Sequence, residues 1–159
     1  MESTKIQELL LNLLPVWNYQ IAKPFKQLLD EGVSLEMYYC IQTLRCGGGT
    51  MTMSELAHYT RMPKQQMTKM VNRLVEQEFV ERVYDPQNRR IIKIRLTDRA
   101  LEYINHFLEN EASFHGFLSQ LNQEDKDKFQ QALEMLFEVF VKVPIDFDAA
   151  KSDGDFKGE

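Results

Sequence analysis

Apolar residues over the first thirty positions, Ile6, Leu9, Leu10, Leu13, Leu14, Trp17, Ile21, Phe25, Leu28 and Leu29, recur at intervals of three and four. That spacing marks one face of an α-helix. Pro15 and Pro24 interrupt it; each removes a backbone donor and crowds the preceding turn, so the segment is one kinked helix or two shorter ones. Gly32 punctuates, and Ser34 with Glu36 opens a second helix through Met37, Tyr38, Ile41 and Leu44, which Gly47 to Thr50 (GGGT) ends. Ser54 starts a short helix with Leu56, and Pro63 sits at the first turn of the next, which runs from about Lys64 to Gln77. The β-rich runs FVERVY and IIKIRLT follow, separated by the turn-forming Asp85-Pro86-Gln87-Asn88, and read as a hairpin. Thr97-Asp98 caps a long helix carrying Leu101, Ile104, Phe107, Leu108, Phe114, Phe117, Leu118 and Leu121. Asn122, three before Asp125, caps a last helix with Phe129, Leu133, Leu136, Phe137 and Phe140 on one stripe. From Pro144 the chain is acidic and poor in large apolar residues, so 144–159 reads as a disordered tail.

These elements give a mainly α fold with a small β-hairpin. The 159 residues, 43% of them hydrophobic, suffice for one domain with a real core, or for a small module plus dimerisation helices. No apolar run approaches the roughly 20 residues that span a bilayer, and the N-terminus lacks a small-residue cleavage site, so a cytoplasmic protein is expected. Cys40 and Cys46 have no partner pair. Six residues of helix turn through about 600°, which points the two thiols to different faces and argues against a disulfide between them.

Charge singles out one segment. Residues 60–100 hold ten Lys/Arg against five Asp/Glu, a local excess of +5 in a chain whose net charge is -5. One basic module in an acidic whole points to localised binding of a polyanion, although a solvated helix face has the same composition. Sorting the helix from Lys64 to Gln77 at about 100° per residue puts Met67, Met70, Val71, Leu74 and Val75 on one side. Gln65, Thr68, Lys69 and Asn72 fall opposite, and these residue types read base edges and phosphates in a major groove. Lys64 and Gln66 stand near the helix N-terminus, the end that recognition helices direct at bases, and Arg73 lies round toward a phosphate. Arg89 and Arg90, at the hairpin turn, suit the negative potential of a narrow minor groove.

The run from Met51 to Thr97 resembles the winged helix-turn-helix of the multiple-antibiotic-resistance regulator (MarR) family of bacterial transcription factors. SELAHYT matches the first motif helix, KQQMTKMVNRLVEQEFVER the recognition helix and its exit, and DPQNRR the wing leading into IKIRLT. With the flanking helices the resemblance extends over about 5–141. It departs at three places: Asn88 stands where the family usually has aspartate, Glu78 replaces a common glycine after the recognition helix, and Ala100 follows Leu96-Thr97 where glycine is frequent. The resemblance implies a winged helix-turn-helix over 33–97, flanked by N- and C-terminal dimerisation helices over 5–32 and 98–141. It further implies a homodimeric repressor on an inverted repeat of double-stranded DNA, released by a small hydrophobic or phenolic effector near the junction of the two parts.

For such an effector Trp17, Tyr38 and Tyr39 are the candidates, within an aromatic-rich set that also serves as core and dimer packing. His58, His106 and His115 are too scattered to argue for a metal site. No nucleophile with a nearby histidine, no glycine-rich phosphate loop and no paired carboxylates stand out, so neither an enzyme nor a cofactor is expected. The rival reading is a winged-helix protein-interaction module that never touches DNA.

Overall fold

Side-chain oxygens set where the principal helices start. The computed structural model describes residues 2–143, and the acidic tail expected over 144–159 lies outside the described residues. Helix α1 (Glu2–Trp17) runs into a π-helical turn over Asn18–Ala22 and then α2 (Lys23–Leu28). Helix α3 (Leu35–Cys46) leads to strand β1 (Thr50–Thr52), helices α4 (Met53–Thr60) and α5 (Lys64–Glu76), and strands β2 (Val80–Tyr84) and β3 (Ile92–Leu96). Helix α6 (Asp98–Glu109), a short α7 (His115–Leu118) and α8 (Gln123–Lys142) complete the described chain. Ser34 Oγ accepts from the Met37 amide at 3.1 Å, Thr97 Oγ1 from Ala100 at 3.2 Å and Asn122 Oδ1 from Asp125 at 2.8 Å, the caps expected for α3, α6 and α8.

Four local expectations are corrected. The cap of α4 is Thr52, which accepts from the Glu55 amide at 3.1 Å, and not Ser54; Thr52 ends a strand in extended backbone, so the helix begins immediately after it. Pro63 lies just outside α5 in extended conformation, its carbonyl accepting from the Met67 amide at 2.9 Å. Strand β1 was not foreseen: it pairs antiparallel with β3, placing Met51 beside Ile94, and makes a three-stranded sheet of order β1-β3-β2. The single long helix expected after Thr97 breaks at Asn110, which adopts extended backbone; a 3-10 turn over Glu111–Phe114 follows. The break lets Phe114 stack on Phe25 at 5.6 Å while Phe107 meets the same ring edge-on at 5.1 Å. Aromatic packing has overridden helical periodicity there.

Between Pro15 and Pro24 the chain stays helical. The Lys23 amide bonds back five residues to the Asn18 carbonyl, and Pro24 falls within the first turn of α2. One wide turn thus absorbs the proline that a regular α-helix would accommodate only with a lost hydrogen bond.

The core lies under the sheet and α5. Met37, Cys40, Ile41 and Leu44 of α3, Leu56 of α4, Met67, Met70, Val71 and Leu74 of α5, and Phe79, Ile94, Ala100 and Ile104 are all buried together. Helices α1 and α8, by contrast, bury no residue at all.

Candidate nucleic-acid interface

Two matching turns hold α5 in place. At the end of α4, Arg61 takes left-handed backbone (φ 52), its amide bonding to the His58 carbonyl at 3.2 Å and the Met62 amide to that of Ala57 at 3.0 Å. At the end of α5, Glu78 does the same (φ 61), its amide reaching Val75 and that of Phe79 reaching Leu74, both at 2.9 Å. Each is a Schellman closure, usually built on glycine, with the following residue (Met62 or Phe79) inserted into the core. This accounts for the departure at Glu78: the position needs a left-handed residue, and the chain supplies one without glycine. Thr97 Oγ1 donates to the Glu78 carbonyl at 2.6 Å and Arg99 Nε to that of Gln77 at 2.9 Å, tying the helix exit to α6.

Helix α5 divides as its sequence indicates. Met67, Met70, Val71 and Leu74 are buried, while Lys64, Gln65, Gln66, Thr68, Lys69, Asn72 and Arg73 are all exposed. Thr68 Oγ1 donates to the Lys64 carbonyl at 3.1 Å, which leaves the hydroxyl's lone pairs outward. Asn72 is not free: its Oδ1 accepts from Arg82 Nη2 on β2.

The wing is a turn closed by two side-chain oxygens, a carboxylate and an amide carbonyl. Asp85 Oδ1 accepts from the Gln87 amide at 2.9 Å and Asn88 Oδ1 from the Arg90 amide at 3.1 Å, with the Ile91 amide on the Asn88 carbonyl at 3.0 Å. Asn88 therefore shapes the backbone at Arg90 through the short-range bond that an aspartate there would also make. Arg89 and Arg90 are both exposed at the tip.

The ten basic residues of the segment separate by their bonds. Arg95 pairs with Glu81 across the strands at 2.7 Å, Arg99 lies 5.1 Å over the Phe79 ring, and Arg82 holds Asn72. Among the described residues, Arg61, Lys64, Lys69, Arg73, Arg89, Arg90 and Lys93 have no side-chain hydrogen bond or ion pair. Sequence reasoning missed Arg82, because no periodicity connects a strand residue to a helix residue ten positions earlier.

The three effector candidates are not brought together. Tyr38 packs edge-on against Phe25 at 4.6 Å, and burial pushes its phenol pKa up. Tyr39 is half exposed on the rim of a cavity of about 450 Å³ between α3, α4 and the start of α5, which also touches Cys40, Tyr59, Arg61 and Gln66. Trp17 is exposed at the end of α1 and does not line that cavity. Burial raises the Cys40 thiol to about 12, whereas Cys46 is exposed, so the two thiols do face different surroundings. Among the described residues no three His, Cys, Asp or Glu side chains are placed to hold a metal ion, and no helix is long and apolar enough to cross a membrane.

Comparison with known proteins agrees with this geometry. Residues 38–91 match the model of the MarR family, in agreement with the resemblance seen in the sequence, and the match centres on the winged module. An uncharacterised HTH-type transcriptional regulator of Bacillus subtilis, YpoP, is 25% identical over 95 residues, covering 60% of this chain and 67% of its own length. The fold matches the crystal structure of RV1404 from Mycobacterium tuberculosis (TM-score 0.71, 20% identity, 92% of this chain and 99% of that one). It also matches apo MarR from E. coli (TM-score 0.66, 19% identity, 79% and 93%) and a mutant MarR complexed with operator DNA (TM-score 0.58, 19% identity, 79% and 91%).

Proposed function

We propose that this chain is a transcriptional regulator of the MarR family, acting as a homodimeric repressor that binds a palindromic operator. The observation that carries the reading is the sorting of α5 and the wing: a buried apolar face, an exposed polar face, and unpaired cations confined to the outer surface. In this reading Gln65, Lys69 and Asn72 enter the major groove with Lys64, Gln66 and Thr68 beside them, Arg73 meets a phosphate, and Arg89 and Arg90 reach the minor groove. The dimerisation regions are 5–32 and 98–141, whose apolar side chains on α1 and α8 stand uncovered in the single chain. A small hydrophobic or phenolic effector acts from the cavity edged by Tyr39, where a ligand would touch Gln66 and so reach α5 directly.

The test is binding of the purified chain to palindromes from its own promoter region at several salt concentrations. The expected result is a Kd that rises steeply with salt, because phosphate neutralisation releases counterions. The rival protein-interaction module predicts no such binding. Release of bound DNA, measured against phenolics, peroxide and zinc in turn, tests the effector.

A further inference from the structure

We infer that Arg82 is a positioning residue for base reading: it holds the side-chain amide of Asn72 with its oxygen toward the sheet and its NH2 toward the DNA. The inference rests on the DNA-binding reading above and specifies the edge that Asn72 presents. Asn72 stands exposed on the outer face of α5, and its Oδ1 accepts from Arg82 Nη2 on the neighbouring strand β2. A guanidinium has donors and no acceptor, so only the amide oxygen can face it. The nitrogen is then left on the opposite side, turned away from the protein.

Neighbouring charges leave the pair intact. Glu81, adjacent in sequence, points to the other face of β2 and is engaged by Arg95 at 2.7 Å. Arg82 is therefore available to Asn72. A freely rotating asparagine can pair bidentately with adenine, accepting from N6 and donating to N7. With its oxygen drawn to the strand, Asn72 meets the groove as a donor, and its partners are acceptor edges: guanine O6 and N7 or thymine O4.

The experiment measures binding of the full chain to a library in which every base pair of one operator half-site is varied. The wild type is expected to favour an acceptor edge at one position by about tenfold. Arg82→Met frees the amide and is expected to flatten preference at that position alone; Arg82→Lys, which still donates, keeps it. Asn72→Asp retains the bond to Arg82 but loses the donor, and its preference is expected to move toward cytosine, whose N4 donates. A uniform loss of affinity in Arg82→Met, with every base preference unchanged, overturns the inference and makes Arg82 a phosphate contact. A second readout needs no DNA: the Asn72 side-chain amide, observed by NMR, is expected to be ordered in the wild type and mobile in Arg82→Met. A mobile amide in the wild type overturns the positioning role whatever the DNA result. An ordered amide in a protein that binds no DNA overturns the functional reading instead, and base reading with it.

Discussion

The winged module and the terminal helices carry apolar stripes of similar spacing, yet the folded chain treats them differently. In the module, Leu74, Phe79 and Ile94 have no exposed surface. In α1 and α8, Leu14, Phe137 and Val141 remain 67%, 64% and 84% exposed. The module's stripe meets a sheet and three helices of its own chain; the terminal stripes stay largely uncovered within it, with Phe129 of α8 meeting the Phe117 ring edge-on at 5.1 Å. An apolar stripe states that a face must be covered, and only the three-dimensional arrangement states by whom.

The largest test of that contrast is in the module. Phe79→Ala is expected to cost about 3–5 kcal/mol, because the ring fills the core beneath the α5 exit, and to abolish a cooperative thermal transition or lower it severely. A charge on the other side of the comparison acts on assembly. Phe137→Asp is expected to turn dimer into monomer in sedimentation velocity while amide exchange at Leu74 stays slow; loss of that protection would mean that the module depends on its terminal helices. Smaller again is Arg90→Ala at the wing tip, expected to weaken operator binding about tenfold across all sequences, whereas Gln65→Ala changes which sequence is preferred. Unchanged binding in both variants would remove these residues from the interface. Glu78→Gly is expected to stabilise by about 1 kcal/mol, read as a melting point a few degrees higher, since glycine adopts left-handed backbone without strain.

The thiols differ in reactivity near neutral pH and in stability only at high pH. Cys46 is expected to alkylate readily at pH 8 and Cys40 only on unfolding. Because burial raises the Cys40 pKa from 9.0 to about 12, the folded state holds its proton more tightly than the unfolded one. That contribution to stability is fully present below pH 9 and disappears as pH rises toward 12.

What could be read in advance follows from range. The faces of α5 were legible because every third or fourth residue repeats the same instruction over thirteen positions. Caps at Ser34, Thr97 and Asn122 were legible because each acts three residues away. Strand β1 was not, since its three residues hold no period and its existence depends on β3, more than forty positions later. The break at Asn110 and the hold of Arg82 on Asn72 were equally hidden: each is decided by a partner on another element.

The wide turn at Asn18–Ala22 gives the N-terminal helix a change of phase. Inserting one residue into a helix rotates everything before it by about 100° relative to everything after. Downstream of the turn, Phe25 is buried in the chain's own aromatic cluster, and upstream, Leu10 and Leu14 stand exposed. The turn thus sets a fixed angular offset between a segment packed inward and a segment whose apolar side chains stand exposed. Deleting a single residue from 18–22 is expected to restore an ordinary α-helix of nearly the same length and composition, and to turn the apolar face of α1 by about 100° relative to α2.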